Sequence, residues 1–90
     1  MKRGQTEMKI ALLQSIRNHP TLAISRIIAI EGLSQKAANL WLRSFVAKGL
    51  LNELQKSKRK HYSLTYEGAE VLRLWARTKE ILKVEEKLKP

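Results

Sequence analysis

The chain predicts an α+β fold that is mostly α: three short helices, a β-hairpin and one long C-terminal helix. Three observations carry that expectation. Residues 21–51, TLAISRIIAIEGLSQKAANLWLRSFVAKGLL, read as a helix, a tight turn at Glu31-Gly32-Leu33, and a further helix from about Ser34 to Lys48 stopped by Gly49. Residues 50–64 read as two short strands on either side of the basic run KSKRK. From Tyr66 to about Lys87 apolar residues recur at helical spacing. The first of these stretches has the layout of a helix-turn-helix.

Residues 1–5 are polar, and Thr6 is placed to cap a first helix running to about Asn18, with Glu7 favourable in its first turn. Ile10, Leu12, Leu13 and Ile16 give that helix one apolar stripe. Pro20 ends it, because proline cannot continue a helix and pushes His19 out of the α region. Thr21-Leu22-Ala23 is too short to assign by itself. The next helix spans 24–31, with Ile24, Ile27, Ile28 and either Ala29 or Ile30 facing inward. Gly32 supplies the positive φ of the turn, and Ser34 is a good N-cap for the third helix. There Ala38, Trp41, Leu42 and Phe45 recur at i, i+3, i+4 and i+7 and form the buried face. Gly49 stands just past its end.

Residues 50–55 then read as a strand, 56–60 as its tip and 61–64 as the return strand, with Leu51, Leu54, Tyr62 and Leu64 as core side chains. The tip lacks an Asn-Gly or Asp-Gly pair, which leaves its turn type open. Thr65 caps the last helix, roughly 33 Å long at ~1.5 Å per residue. Its apolar positions are Val71, Leu74, Trp75, Ile81, Leu82, Val84 and Leu88, with Thr78 filling the stripe. The expected organisation is one domain: a core over residues 6–65 and a dimerisation helix over 66–90.

Charge is the informative part of the composition. Eighteen Lys+Arg stand against eight Asp+Glu, giving a net charge of +10 and a pI near 10.3. A chain this basic expects a polyanion, nucleic acid before an anionic membrane surface. The excess lies in residues 1–60; from His61 to Pro90 acids and bases nearly cancel. The absence of cysteine excludes disulfides, zinc knuckles and thiol catalysis. No apolar run is long enough to span a bilayer, and no apolar segment follows the basic start, so neither a membrane anchor nor a signal peptide is expected. Catalysis lacks a kit: there is no glycine-rich phosphate loop and no nucleophile with a base, and Glu85-Glu86 point different ways on a helix. His19 and His61 are isolated and make no metal site, so no cofactor, metal or small-molecule substrate is expected.

Two surfaces remain. On the third helix Gln35, Lys36, Asn39, Leu40 and Arg43 form the face opposite the core. Gln35 and Asn39 can match adenine, Lys36 and Arg43 can reach guanine or phosphate, and Leu40 can meet a thymine methyl. In the hairpin Lys56, Lys58, Arg59 and Lys60, supplemented by His61 below neutral pH, form a charge cluster suited to phosphates. Arg59 can instead enter a minor groove. Trp41 and Trp75 lie on apolar stripes and read as core or interface rather than base-stacking platforms. On the last helix Leu74, Trp75, Thr78, Ile81, Leu82 and Leu88 form a stripe longer than the core can cover, which expects a partner helix from a second copy. With Leu74, Ile81 and Leu88 as one seam position, the other is either Arg77 and Val84 or Thr78 and Glu85.

The segment SQKAANLWLRSFVAKGLL, the basic tip and HYSLTYEG together resemble the winged-helix transcription regulators of the MarR and ArsR types. The shared features are Lys48-Gly49-Leu50-Leu51 closing a Ser-capped recognition helix, and Tyr62-Ser63-Leu64-Thr65-Tyr66-Glu67-Gly68 closing the wing, over roughly residues 8–76. In that family residues 21–23 would hold a tiny strand added to the hairpin. One such domain with a long C-terminal helix is also similar to small archaeal winged-helix DNA-binding proteins that dimerise through an antiparallel coiled coil. The resemblance implies a homodimer that binds double-stranded DNA without catalysis, its third helix in the major groove and its wing on the backbone. It implies a cytoplasmic, nucleoid-associated transcription regulator or chromosomal protein. The alternative is a winged helix that binds an acidic protein in a larger assembly; duplex RNA is a third possible partner.

Overall fold

Proline, glycine and short polar caps cut the described residues into six elements: α1 (Gln5–Asn18), α2 (Ile24–Glu31), α3 (Gln35–Ala47), β1 (Leu51–Lys56), β2 (Arg59–Leu64) and α4 (Tyr66–Leu88). The structure, a computed structural model, describes residues 4–88, with side chains through Lys83. Three helices, an antiparallel hairpin and a long last helix make a winged helix-turn-helix layout. No helix among the described residues is long and apolar enough to cross a membrane.

The helix ends follow the local chemistry. Both α2 and α3 stop at a left-handed glycine, Gly32 at φ 66° and Gly49 at φ 76°. Each glycine closes the same pair of bonds. Leu33 N–H reaches Ile28 C=O at 3.1 Å and Gly32 N–H reaches Ala29 C=O at 3.2 Å; Leu50 N–H reaches Phe45 C=O at 2.8 Å and Gly49 N–H reaches Val46 C=O at 3.0 Å. These satisfy carbonyls that a helix end leaves orphaned. α1 differs from expectation: it starts at Gln5 with Gly4 as N-cap and no side-chain cap, so Thr6 lies inside the first turn. Residues 21–23 form a turn and bend rather than a strand, and the sheet has two strands.

The core gathers Ile10, Leu12, Leu13 and Ile16 of α1, Ile24, Ile27 and Ile28 of α2, and Ala38, Trp41, Leu42 and Phe45 of α3 against Leu51, Tyr62 and Leu72. Ala29 and Ile30 are both exposed. Ile24, Ile27 and Ile28 already fill the inward stripe of that short helix, and the two following positions turn out to solvent. Leu54 is also exposed, at 56%. Side chains alternate along a strand, so with Leu51 buried it is Glu53, not Leu54, that shares its face.

One knot of contacts fixes where α4 starts. Thr65 Oγ1 accepts from Gly68 N–H at 3.0 Å and donates to Gly49 C=O at 2.6 Å, tying the α4 N-terminus to the end of α3. A Cβ on Gly68 would lie 2.3 Å from the Leu50 carbonyl oxygen, so only glycine allows this approach. The Thr-x-x-Gly spacing is thus a cap and a contact in one. From there α4 runs outward. Leu72 is its buried anchor, Val71 and Trp75 are half-buried, and Ala76 through Lys83 are exposed. The projecting helix stretches the molecule to 56 × 29 × 21 Å.

Candidate nucleic-acid interface

Burial of Ala38, Trp41, Leu42 and Phe45 fixes the rotation of α3, and Gln35, Lys36, Asn39, Leu40 and Arg43 are all exposed on its other side. Ser34 Oγ accepts from Ala37 N–H at 3.2 Å and holds the start of the helix. Gln35 Nε2 donates to Asn39 Oδ1 at 3.0 Å, one turn apart. That bond makes the two amides one unit, which presents a carbonyl from Gln35 and an amine from Asn39 outward. Each amide keeps a second N–H or a second lone pair free, so the pair can present a donor and an acceptor to adenine with the bond intact. Leu40, 65% exposed, stands beside them as an apolar contact.

The hairpin is tighter than its sequence suggested. β1 and β2 each run one or two residues into the basic segment, and the loop is Ser57-Lys58 alone. Both loop residues have positive φ, 47° and 66°, the signature of a type I′ turn built without Asn or Gly. The register pairs Glu53 with Tyr62, Leu54 with His61, Gln55 with Lys60 and Lys56 with Arg59. Alternation then splits the basic run. Lys60 shares a face with Glu53 and Tyr62, whereas Lys56 and Arg59 share the other face with Leu54 and the half-buried His61. Lys58 sits at the turn.

Between α3 and the wing lies a groove of about 400 Å³ lined by Asn39, Arg43, Val46, Ala47, Glu53, Lys60 and Tyr62. The structure therefore brings Asn39 and Arg43 together with Lys60. It does not bring Lys56, Arg59 or His61 into that groove. The groove also holds two groups that sequence reasoning passed over. Glu53 accepts from Tyr62 Oη at 3.1 Å and pairs with Lys60 Nζ at 3.7 Å. Burial, then the hydrogen bond to Glu53 and its charge, push the pKa of the Tyr62 phenol up to about 12. The missed signal was the two-residue period, which places Glu53 in line with Leu51. Outside the groove, Lys9 of α1 sits with Nζ 5.7 Å from the Trp41 ring centroid, within cation–π range. Trp41 itself is 9% exposed and belongs to the core.

The second surface is the free length of α4. Leu74, Ile81 and Leu82 are 51%, 51% and 53% exposed. Thr78 Oγ1 donates to Leu74 C=O at 2.9 Å, which satisfies the hydroxyl within the helix. Trp75 is half-buried against the core rather than free. The Leu88 side chain lies outside the described residues, as do those of Val84 and Glu85. A groove of about 700 Å³ separates the outer part of α4 from α1, with Ile10, Ala11, Trp75 and Leu82 on its apolar walls. Among the described residues no three His, Asp or Glu side chains gather as a metal site would require.

No protein-family model matches the chain, and no curated protein does. A solved structure is similar to it: the crystal structure of Sso10a-2, a DNA-binding protein from Sulfolobus solfataricus. The two share 27% sequence identity with a TM-score of 0.68, over 98% of this chain and 99% of that one. The likeness therefore takes in the long last helix as well as the domain in front of it.

Proposed function

We propose that the chain binds double-stranded DNA as a homodimer, with α3 in the major groove and the wing on the flanking backbone. The observation that carries this reading is the groove in which Arg43 and Asn39 of α3 open beside Lys60 of the wing, on a chain of net charge +10. Gln35, Asn39 and Leu40 face the bases, Lys36 and Arg43 reach guanine or phosphate, and Lys56, Lys58, Arg59 and Lys60 lie toward the backbone. The DNA-binding protein Sso10a-2, alike over its whole length, supports the same partner. Leu74, Thr78, Ile81 and Leu82 form the seam between two copies of α4.

Titration of a fluorescent random-sequence duplex at several salt concentrations tests the proposal. Saturable binding is expected, with log K falling linearly in log salt. Arg43→Ala is expected to reduce that slope by ~0.9, the contribution of about one phosphate contact. An unchanged affinity and slope in Arg43→Ala removes α3 from the interface. In-vitro selection of bound duplexes then separates two roles: an enriched motif marks a transcription regulator, a flat result a chromosome-coating protein.

One observation favours a second reading. Ile30, Leu40 and Leu54 are exposed at 55%, 65% and 56%, and apolar side chains on a basic surface also suit an acidic protein partner. Absence of duplex binding at physiological salt favours that partner.

A further inference from the structure

Between Gly32 and Tyr66 the sequence has seven basic residues and a single acid, Glu53. An acid at the centre of a surface that meets phosphates works against affinity, so its position calls for a reason. One carboxylate oxygen accepts from the buried Tyr62 hydroxyl at 3.1 Å. The other lies 3.7 Å from Lys60 Nζ, inside the groove that Asn39 and Arg43 also line. Tyr62 needs an acceptor, but a neutral amide oxygen is an acceptor too, so the hydrogen bond alone does not call for a charge. The charge is left to act on Lys60 and on whatever enters the groove.

We infer that Glu53 is an internal counter-charge that holds Lys60 back from phosphate and so sets how tightly the chain grips any duplex. This deepens the DNA-binding reading and rests on it. The Lys60–Glu53 pair is half-exposed, with side chains 54% and 41% accessible. Exposed pairs of this kind are weak, so an incoming phosphate competes with Glu53 for the ammonium. Binding a polyanion then means exchanging one ion pair for another, and Lys60 contributes less than a cation without a partner would. Lys56 and Arg59, on the opposite face of the hairpin, have no acid on their face and are outside this control.

The test is a double-mutant cycle on duplex affinity with Glu53→Gln and Lys60→Ala. Glutamine keeps an acceptor for Tyr62 and removes the charge. Glu53→Gln is expected to bind random duplex more tightly and to steepen the salt slope by ~0.9, one added phosphate contact. That makes the gain about threefold larger at ~50 mM than at ~200 mM salt. In the Lys60→Ala background the steepening is expected to vanish, and the thermal midpoint of Glu53→Gln is expected to stay at that of the parent. Equal slopes in parent and Glu53→Gln, or a gain that persists undiminished without Lys60, overturns the inference. A weakened Glu53→Gln also overturns it, since the carboxylate would then contact the DNA favourably. Failure of the DNA-binding reading looks different: the parent itself then shows no salt-dependent duplex binding.

Discussion

Ile81→Ala is the sharpest test of pairing through α4. Ile81 is 51% exposed in the single chain, so about half its side-chain burial is still to be gained. The substitution removes three carbons. At ~0.8 kcal/mol per buried carbon, halved for the part already covered, the loss is about 1.2 kcal/mol per copy. A two-fold interface uses each residue twice, which doubles the loss to about 2.4 kcal/mol, or roughly 50-fold in Kd. Sedimentation equilibrium over a micromolar dilution series reads that shift directly. Leu82→Ala should act alike, because Leu82 is 53% exposed on the same length of helix. Tyr66→Ala is the control: Tyr66 is 77% exposed but sits at the first turn of α4, beside the wing, and its loss should leave Kd unchanged. The apolar core is untouched by all three, so a changed monomer fold is not a competing cause. A parent protein that sediments as a monomer throughout, or an Ile81→Ala variant with the parent's Kd, refutes the reasoning.

Three further outcomes follow from the fold. Gly68→Ala should destabilise by ~3 kcal/mol, because its Cβ would lie 2.3 Å from a backbone oxygen that cannot swing aside; an unchanged melting temperature counts against the contact. Ser15→Ala should stabilise by ~1 kcal/mol, since the Ser15 hydroxyl is buried at 4% exposure with no hydrogen-bond partner among the described residues and alanine is the better helix former; urea denaturation that shows a loss would reveal a hidden partner. Tyr62, with its phenol raised to about 12 by burial and Glu53, stays neutral in the folded state where an unfolded tyrosine ionises near 10. Its contribution is complete below pH 10 and lost as pH rises toward 12. Denaturation midpoints measured across that window should fall more steeply for the parent than for Tyr62→Phe, and equal slopes would dismiss the effect.

Most element boundaries were legible because they rest on local chemistry. Gly32, Ser34, Gly49 and Thr65 stop or start helices through bonds made within a few residues, and each stands where the sequence reading put it. The misreadings share a cause that is not local. Periodicity omits Leu72, 3% exposed, from the stripe of α4, while Leu74, which it places there to meet a second copy, is 51% exposed in the single chain. Residues 71–75, VLRLW, offer apolar side chains on more than one face, and periodicity cannot choose between faces. The choice is made by Gly68 against Leu50: the face that continues from Gly68 holds Leu72 and Trp75 and turns to the domain. The other face, through Leu74, Thr78 and Ile81, turns away. The glycine was visible in the sequence, but its role as a contact was not.

The candidate interface shows the same division between what spacing gives and what pairing decides. α3 was readable because a helix with four buried positions has one opposite face, and Gln35, Lys36, Asn39, Leu40 and Arg43 must lie on it. The basic run was counted as a single cluster, as it would be in an open loop. In a hairpin with a two-residue turn the run is strand, and alternation sends Lys60 one way and Lys56 with Arg59 the other. The turn that enforces this uses positive φ at Ser57 and Lys58, residues that carry no I′ signature. The consequence is physical. In the proposed docking a duplex on α3 would meet Arg43 directly and Lys60 in exchange for Glu53, whereas Lys56 and Arg59 would be satisfied by backbone reached around the hairpin's other face. Charge replacement at Arg59 should therefore lower the salt slope in the parent, whereas replacement at Lys60 should lower it by a full contact only when Glu53 is neutralised.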